Sequence, residues 1–143
     1  MTIRLEELQT WHVEAIKPRS VYRNEPLDLK GMIGNDSVFA SALVKDEVVL
    51  AIIGGTIQWE GVAHCWAIIS DSIKQCPLEF HKEVLRLIET SMKGINLHRL
   101  EASVRADFLM GERWLKSLGF EQEALLKYYG PDKSDYKLFA RYA

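Results

Sequence analysis

Three β-rich runs follow one another with almost nothing between them: Val38 to Val44, Val48 to Trp59 and Val62 to Ser70, separated only by Lys45-Asp46-Glu47 and Glu60-Gly61. A crossover to a parallel neighbour takes about a dozen residues or more, so such short links leave antiparallel strands lying side by side. An antiparallel meander is therefore expected. Gly54-Gly55 interrupts the middle run and has two readings, a bulge or a place where another group closely approaches the backbone.

The rest of the chain is arranged around that meander. Thr2 to Leu5 alternates polar and apolar residues and predicts a short first strand, and Glu6 to Lys17 carries Leu8, Trp11, Ala15 and Ile16 at helical spacing until Pro18 ends the run. Arg19 to Ser37 mixes Pro26, Gly31, Gly34 and Asn35 with Tyr22, Leu27, Leu29, Met32 and Ile33, which fits a broken helix or a mobile loop. Pro77 to Lys93 is the clearest helix. Phe80, Val84, Leu87, Ile88 and Met92 form one apolar stripe, Pro77 suits the first helical position, and Gly94 is expected in the left-handed conformation just past the end. A strand from Leu97 to Val104 follows, then a helix that Asp107 is expected to cap and Gly119 to end, carrying Met110, Trp114, Leu115 and Leu118. Phe120 to Tyr129 and Tyr136 to Tyr142, joined by the Gly130 to Ser134 turn, close the chain as a hairpin. The predicted order is β-α-(α)-β-β-β-α-β-α-β-β, an α/β (α+β) fold over residues 1–143 as one domain.

Composition narrows the function classes. With 18 Lys+Arg against 20 Asp+Glu there is no electrostatic footprint for generic nucleic-acid binding. No apolar run approaches the roughly 20 residues needed to span a bilayer, and the first residues lack the basic-then-apolar pattern of a secretory signal. No membrane partner is expected. Cys65 and Cys76 read as reduced thiols in a chain large enough to do without a staple. The four histidines show no paired spacing with them that suggests a tetrahedral metal site, so no metal is expected.

Val104-Arg105-Ala106-Asp107, the helix ending Arg113-Trp114-Leu115-Lys116-Ser117-Leu118-Gly119-Phe120, and the closing hairpin resemble the C-terminal half of GCN5-related N-acetyltransferases (GNAT). Leu118-Gly119-Phe120 is the most specific element, and the element order matches along nearly the whole chain. Ala63-His64-Cys65-Trp66-Ala67-Ile68-Ile69-Ser70-Asp71 also resembles small GNAT-like proteins encoded by short-tailed phages, some of which are internal virion components. The resemblance implies a mixed, mostly antiparallel twisted sheet of about six or seven strands flanked by three or four helices. It implies transfer of acetyl from acetyl-CoA to a primary amine by direct attack, on an amine-bearing small molecule or a protein acceptor. The alternative is a GNAT-fold virion component or protein-binding module that has lost catalysis. Virion or host proteins and a homodimer stay open as partners, and the implied location is the cytoplasm, or the host cytoplasm or virion for a phage protein.

The resemblance also assigns roles. The strand from Trp66 to Asp71 would hold the pantetheine arm through main-chain groups at Ile68, Ile69 and Ser70. The pyrophosphate would sit on free N–H groups at the start of the next helix. Family members usually carry Gln or Arg, then x-x-Gly-x-Gly or Ala there; this chain has Gln75-Cys76-Pro77-Leu78-Glu79-Phe80, preceded by Lys74. Gln75 fits, and Lys74 either contacts phosphate or is a solvated loop residue. Leu78 and Phe80 replace the two small residues, Glu79 adds a negative charge, and Pro77 removes a donor. Phe80 also reads as a core anchor. For the acid that protonates the leaving thiolate, Tyr129 is preferred over Tyr128, against the plain reading of two hairpin aromatics. Asp71 is a candidate base, or with Ser72 a helix-capping or turn residue; Glu101, directed to the cleft or simply to solvent, and His64 are further candidates, His64 having a suitable ordinary pKa or a purely structural role.

Overall fold

The computed structural model describes residues 2–18 and 28–143. Tyr22, Pro26 and Leu27 of the expected broken helix or loop lie outside the described residues. Seven strands are hydrogen-bonded in the order β1-β2-β3-β4-β5-β7-β6. They are β1 (Arg4–Glu7), β2 (Val38–Lys45), β3 (Val48–Trp59), β4 (Val62–Ile69), β5 (Arg99–Arg105), β6 (Glu121–Leu126) and β7 (Tyr136–Tyr142). Four α-helices accompany them among the described residues: α1 (Thr10–Ala15), α2 (Leu29–Met32), α3 (Pro77–Gly94) and α4 (Leu109–Ser117). The β4–β5 pair is parallel, whereas β1–β2, β2–β3, β5–β7 and β6–β7 are antiparallel. The chain divides into two compact units, Met1–Thr56 with Trp66–Ile88 and Ile57–Cys65 with Glu89–Ala143.

In the first unit β2 and β3 form the expected antiparallel hairpin, from Val38↔Thr56 to Lys45↔Val48. The turn between β2 and β3 places Asp46 and Glu47 at positive φ, 51° and 68°, as a tight hairpin turn requires. The ladder irregularity falls between Leu43 and Val44, not at Gly54-Gly55. Those glycines answer to the second reading. A Cβ on Gly54 would lie 2.5 Å from the Phe39 carbonyl oxygen and 2.9 Å from Trp66 Cζ2, and one on Gly55 would meet the Phe39 ring. Leu8, Ile16, Ala42, Val44, Val49, Ile52 and Ile68 form the core here, with Val13, Leu29, Ile33, Ala40 and Trp66 packed against it.

Helix α1 is shorter than the Glu6 to Lys17 periodicity predicts. The Gln9 N–H donates to His12 Nδ1 at 2.9 Å and Glu6 Oε1 lies 2.9 Å from His12 Nε2. With the Gln9 proton on Nδ1, the ring proton sits on Nε2 and donates to Glu6. A fully buried His12 (0% exposed) thus has both ring nitrogens satisfied, and it fixes the approach of β1, which ends at Glu7. The four-residue α2 is capped by Asp28, whose Oδ1 accepts from the Gly31 N–H at 3.0 Å.

In the second unit the parallel ladder runs from Val62↔Arg99 to Cys65↔Ala102. Strand β5 buries Leu100, Ala102 and Val104 and leaves Arg99, Glu101, Ser103 and Arg105 half-buried on its other face, the period-2 alternation of a strand with one covered side.

Two expected caps are corrected. Gly94 stays in the last turn of α3, and Asn96 (φ 58°) takes the left-handed position. Asn96 N–H donates to Lys93 O and Leu97 N–H to Met92 O, the paired bonds of a Schellman ending, and Asn tolerates this backbone better than other side chains. Gly119 (φ 90°) ends α4 as expected, with Phe120 N–H bonded to Leu115 O. Asp107 does not cap α4. Phe108 occupies the N-cap without a side-chain bond, and Asp107 instead pairs with Arg105 at 3.3 Å.

Candidate active site

The residues expected to hold a cofactor, Ile68 through Phe80, all fall in the first unit. Trp66–Ile69 is the part of β4 beyond the parallel ladder, and the chain leaves it at Ser70. Ile68, Ile69 and Ser70 are buried, so what they offer a ligand is main chain. The Ser70 N–H donates to Leu50 O at 2.9 Å, and its Oγ accepts from the Ser72 N–H at 3.2 Å. Ser70 therefore caps the 3₁₀ turn Asp71–Gln75, the role that Asp71 was one candidate to fill. Asp71 lies 3.8 Å from Lys74 Nζ, both side chains well exposed. Cys76 ends that turn, its N–H bonded to Ile73 O at 3.0 Å.

The first turn of α3 follows at once. Phe80 N–H already bonds Cys76 O at 2.9 Å and Pro77 has no N–H, which leaves the Leu78 and Glu79 N–H groups as first-turn donors without a carbonyl inside the helix. The Glu79 carboxylate is committed elsewhere. It pairs with Lys45 Nζ at 2.5 Å and accepts the Ile3 N–H at 2.9 Å, and these bonds hold its carboxyl below the usual range. Its charge is thus neutralised on the β1–β2 side of the turn. Phe80 is 2% exposed and belongs to the core, whereas Leu78 is 76% exposed. The residues present fit a pyrophosphate gripped by two N–H groups at a helix N-terminus, with Lys74 as the nearest exposed cation in sequence and Leu78 as the remaining bulk.

The tyrosines lie in the second unit. Tyr128 has φ 57° and is 76% exposed, and its N–H donates to Asp135 Oδ1 at 3.1 Å. Tyr129 is 56% exposed and tilts against Tyr136 with ring centroids 5.3 Å apart. The turn behind them is braced by the Ser134 hydroxyl on Asp132 at 2.6 Å and by Arg105 on the same carboxylate at 3.0 Å, which drive the Asp132 carboxyl well below its ordinary range. Both phenols are therefore presented outward from a fixed loop.

His64 and Glu101 occupy one ladder position, His64↔Glu101. His64 Nε2 lies 3.4 Å from Ser103 Oγ. Burial lowers the His64 pKa, partly offset by the Glu101 charge. Glu101 accepts from Arg99 at 2.8 Å, and Arg99 also bonds Glu123 at 2.5 Å. Ser103 and Arg99 were not among the residues singled out from sequence, although the polar half of the β5 alternation contained both. Cys65, on the covered side, has its thiol pushed up to about 12 by burial. No group of His, Cys, Asp and Glu among the described residues is arranged to hold a metal ion, and no helix among them is long and apolar enough to cross a membrane.

No family model and no curated protein matches the sequence. Solved structures do. A spermidine N-acetyltransferase chimera of Vibrio cholerae and hSSAT aligns with TM-score 0.81 at 13% identity, over 99% of this chain and 96% of that one. An acetyltransferase of the GNAT family from Bacillus anthracis aligns with TM-score 0.77 at 13% identity, covering 99% and 95%. The ribosomal-protein-S18-alanine N-acetyltransferase of Escherichia coli gives 0.73 at 16% identity, covering 99% and 94%. The seven-stranded mixed sheet with its four helices is a GNAT fold, as the sequence resemblance implied. At these identities the likeness is one of fold.

Proposed function

We propose that this chain is an N-acetyltransferase that uses acetyl-CoA and acetylates a primary amine. The observation that carries the reading is the capture of Glu79 by Lys45 and the Ile3 N–H. The acidic residue that stood against phosphate binding in the sequence is tied to the opposite partner, and two main-chain donors of the α3 first turn stay available. Bound there, the cofactor supplies an activated acetyl thioester. Ser70 and the adjoining main chain orient it, Lys74 and Gln75 flank the phosphates, and the exposed Tyr129, with Tyr128 as the second candidate, donates the phenolic proton to the departing thiolate. The acceptor is an amine on a small molecule or a protein; the structural neighbours act on amines as different as spermidine and a ribosomal protein by their names.

A second reading, a GNAT-fold virion component or binding module without turnover, is favoured by two features. Leu78 stands exposed on the first turn and Pro77 removes a donor from it. Thiol release from acetyl-CoA in the presence of amines separates the two, assayed for the wild type, Tyr128→Phe and Tyr129→Phe. A loss of about 10²-fold or more in kcat for Tyr129→Phe is expected. Release that is unchanged in both variants removes the acid assignment, and no release from the wild type removes the enzyme.

A further inference from the structure

Both carboxylate oxygens of Glu79 are taken by groups from outside α3. Val44 packs into the core with Leu8 and Ile52, so Lys45, the next residue of β2, projects to the opposite face of the sheet. There its Nζ meets Glu79 Oε1 at 2.5 Å, while the Ile3 N–H, one residue before β1, donates to Oε2 at 2.9 Å. Strand β1 is itself laddered to the same end of β2 through Arg4↔Val44. The pair is partly withdrawn from water, with the Lys45 and Glu79 side chains 24% and 31% exposed. The hydrogen bond between them shifts each towards its charged form, Lys45 upward and Glu79 downward. All three groups lie in the first unit together with the first turn of α3. Removing one member of such a pair leaves the other as an uncompensated charge. For Glu79 that charge would stand on the turn whose Leu78 and Glu79 N–H groups lack a carbonyl inside the helix, where it competes with any anion for the positive end of the helix.

We propose that Lys45 and the Ile3 N–H hold the Glu79 carboxylate off the α3 first turn, so that tight binding of the acetyl-CoA pyrophosphate depends on the contact between α3 and the β1–β2 end of the sheet. This rests on the acetyltransferase reading above and adds how that site is controlled. Lys45 is a positioning residue: it acts through Glu79 and need not touch the phosphates. With the contact closed, the ammonium neutralises the carboxylate, and the main-chain donors meet an anion without a competing charge. With it open, Glu79 carries an unpaired negative charge on that same turn, and repulsion weakens the anion. By linkage, whatever favours the closed contact tightens the cofactor, and the cofactor favours the closed contact by the same factor.

The test titrates acetyl-CoA by calorimetry into the wild type, Lys45→Met, Lys45→Arg, Glu79→Gln and the Lys45→Met/Glu79→Gln double variant, with circular dichroism melts confirming that each folds. Lys45→Met is expected to raise Kd about tenfold or more, within the usual range for coupled groups, and Lys45→Arg, which keeps the charge, to stay within about threefold of the wild type. Glu79→Gln, whose amide oxygen still accepts the Ile3 N–H, is expected to bind at least as tightly as the wild type. The double variant is expected to return to within about threefold of it, since the two substitutions act on one contact. A double variant as weak as Lys45→Met would make Lys45 a direct phosphate ligand, and a Glu79→Gln as weak as Lys45→Met would make the pair a structural brace; either result overturns the proposal. Hydrogen exchange at the Ile3 amide is expected to slow when acetyl-CoA binds, and an unchanged rate overturns the link to β1. Lys45→Met that binds acetyl-CoA as well as the wild type removes the role of Lys45 and leaves the acetyltransferase reading standing. A wild type that binds no acetyl-CoA removes both.

Discussion

Replacing Gly54 by alanine puts a methyl group where the structure has no room for one. The new Cβ would lie 2.5 Å from the Phe39 carbonyl oxygen and 2.9 Å from both Ala40 Cβ and Trp66 Cζ2. Optimal carbon–carbon separations are about 3.5–4.0 Å, so each carbon contact is too short by about 0.6 Å or more. Two of the three neighbours cannot yield cheaply. The carbonyl belongs to the β2 backbone paired with β3 at Phe39↔Gly55, and Ala40 Cβ is fixed to the same strand. Overpacking of this kind costs about 1–3 kcal/mol, and the rigid neighbours place Gly54→Ala near the upper end. Against that, losing a glycine reduces the entropy of the unfolded chain, worth about 0.4–1 kcal/mol of stabilisation. The steric cost wins, leaving a net loss of about 2 kcal/mol. With an unfolding entropy of about 2.1 cal/mol/K per residue over 143 residues, the melting temperature should fall by about 7 °C. Gly94 is the internal control. Nothing lies within 4 Å of a Cβ there, and its backbone is helical. Gly94→Ala should therefore gain about 0.5–1 kcal/mol, a rise of about 2–3 °C. Reversible thermal melts of the two variants and the wild type decide the matter, and a Gly54→Ala midpoint equal to or above that of the wild type would refute the packing argument.

Three further outcomes follow from the same geometry. Glu123 is depressed from 4.5 to about 2 by Arg99 and by the Tyr142 hydroxyl, so its contribution is complete above pH 4.5 and disappears as pH falls towards 2. The stability advantage of wild type over Glu123→Gln in denaturant titrations should shrink across that window, and a constant difference would contradict the pairing. In native protein treated with iodoacetamide at pH 8, Cys76 should be alkylated well before Cys65, whose thiol is pushed up to about 12; peptide mass spectrometry showing the reverse order would place Cys65 outside the covered face. Leu78→Gly, which clears the exposed side chain from the α3 first turn, should tighten acetyl-CoA binding about 3–10-fold by calorimetry, the scale of one improved hydrogen bond. Unchanged or weaker binding would show that the first turn is not where the phosphates rest.

The meander strands were legible from sequence because the signal was geometric, whereas the first strand, expected at Thr2 to Leu5, lies at Arg4–Glu7. Turns as short as Lys45-Asp46-Glu47 and Glu60-Gly61 permit one arrangement of their neighbours, and β3 (Val48–Trp59) has the expected bounds. Helix α3 was equally clear from its apolar stripe. Its ending was not, because two residues compete for the left-handed position and the tertiary path selected Asn96 over Gly94. Asp107 had the side chain of a cap, but Arg105 two residues earlier offered a charge partner that local pattern does not weigh.

The candidate site was legible as positions and not as directions. Spacing placed Glu79 at the start of α3, yet its carboxylate is captured by Lys45 and Ile3, 34 and 76 residues away in sequence, a contact that only the folded chain reveals. Phe80 was open between cradle and core, and the packing puts it in the core. Ser103 carried no signal beyond its place in an alternating strand, since its relation to His64 depends on the β4–β5 register.

Calorimetric titration of the protein with acetyl-CoA, paired with a thermal melt at saturating ligand, tests the central claim most directly. A Kd below about 1 mM is expected, together with a stabilisation that grows with ligand concentration, about 2.7 kcal/mol at a hundredfold excess over Kd. Binding weaker than that with no rise in melting temperature would contradict a cofactor site on β4 and the first turn of α3.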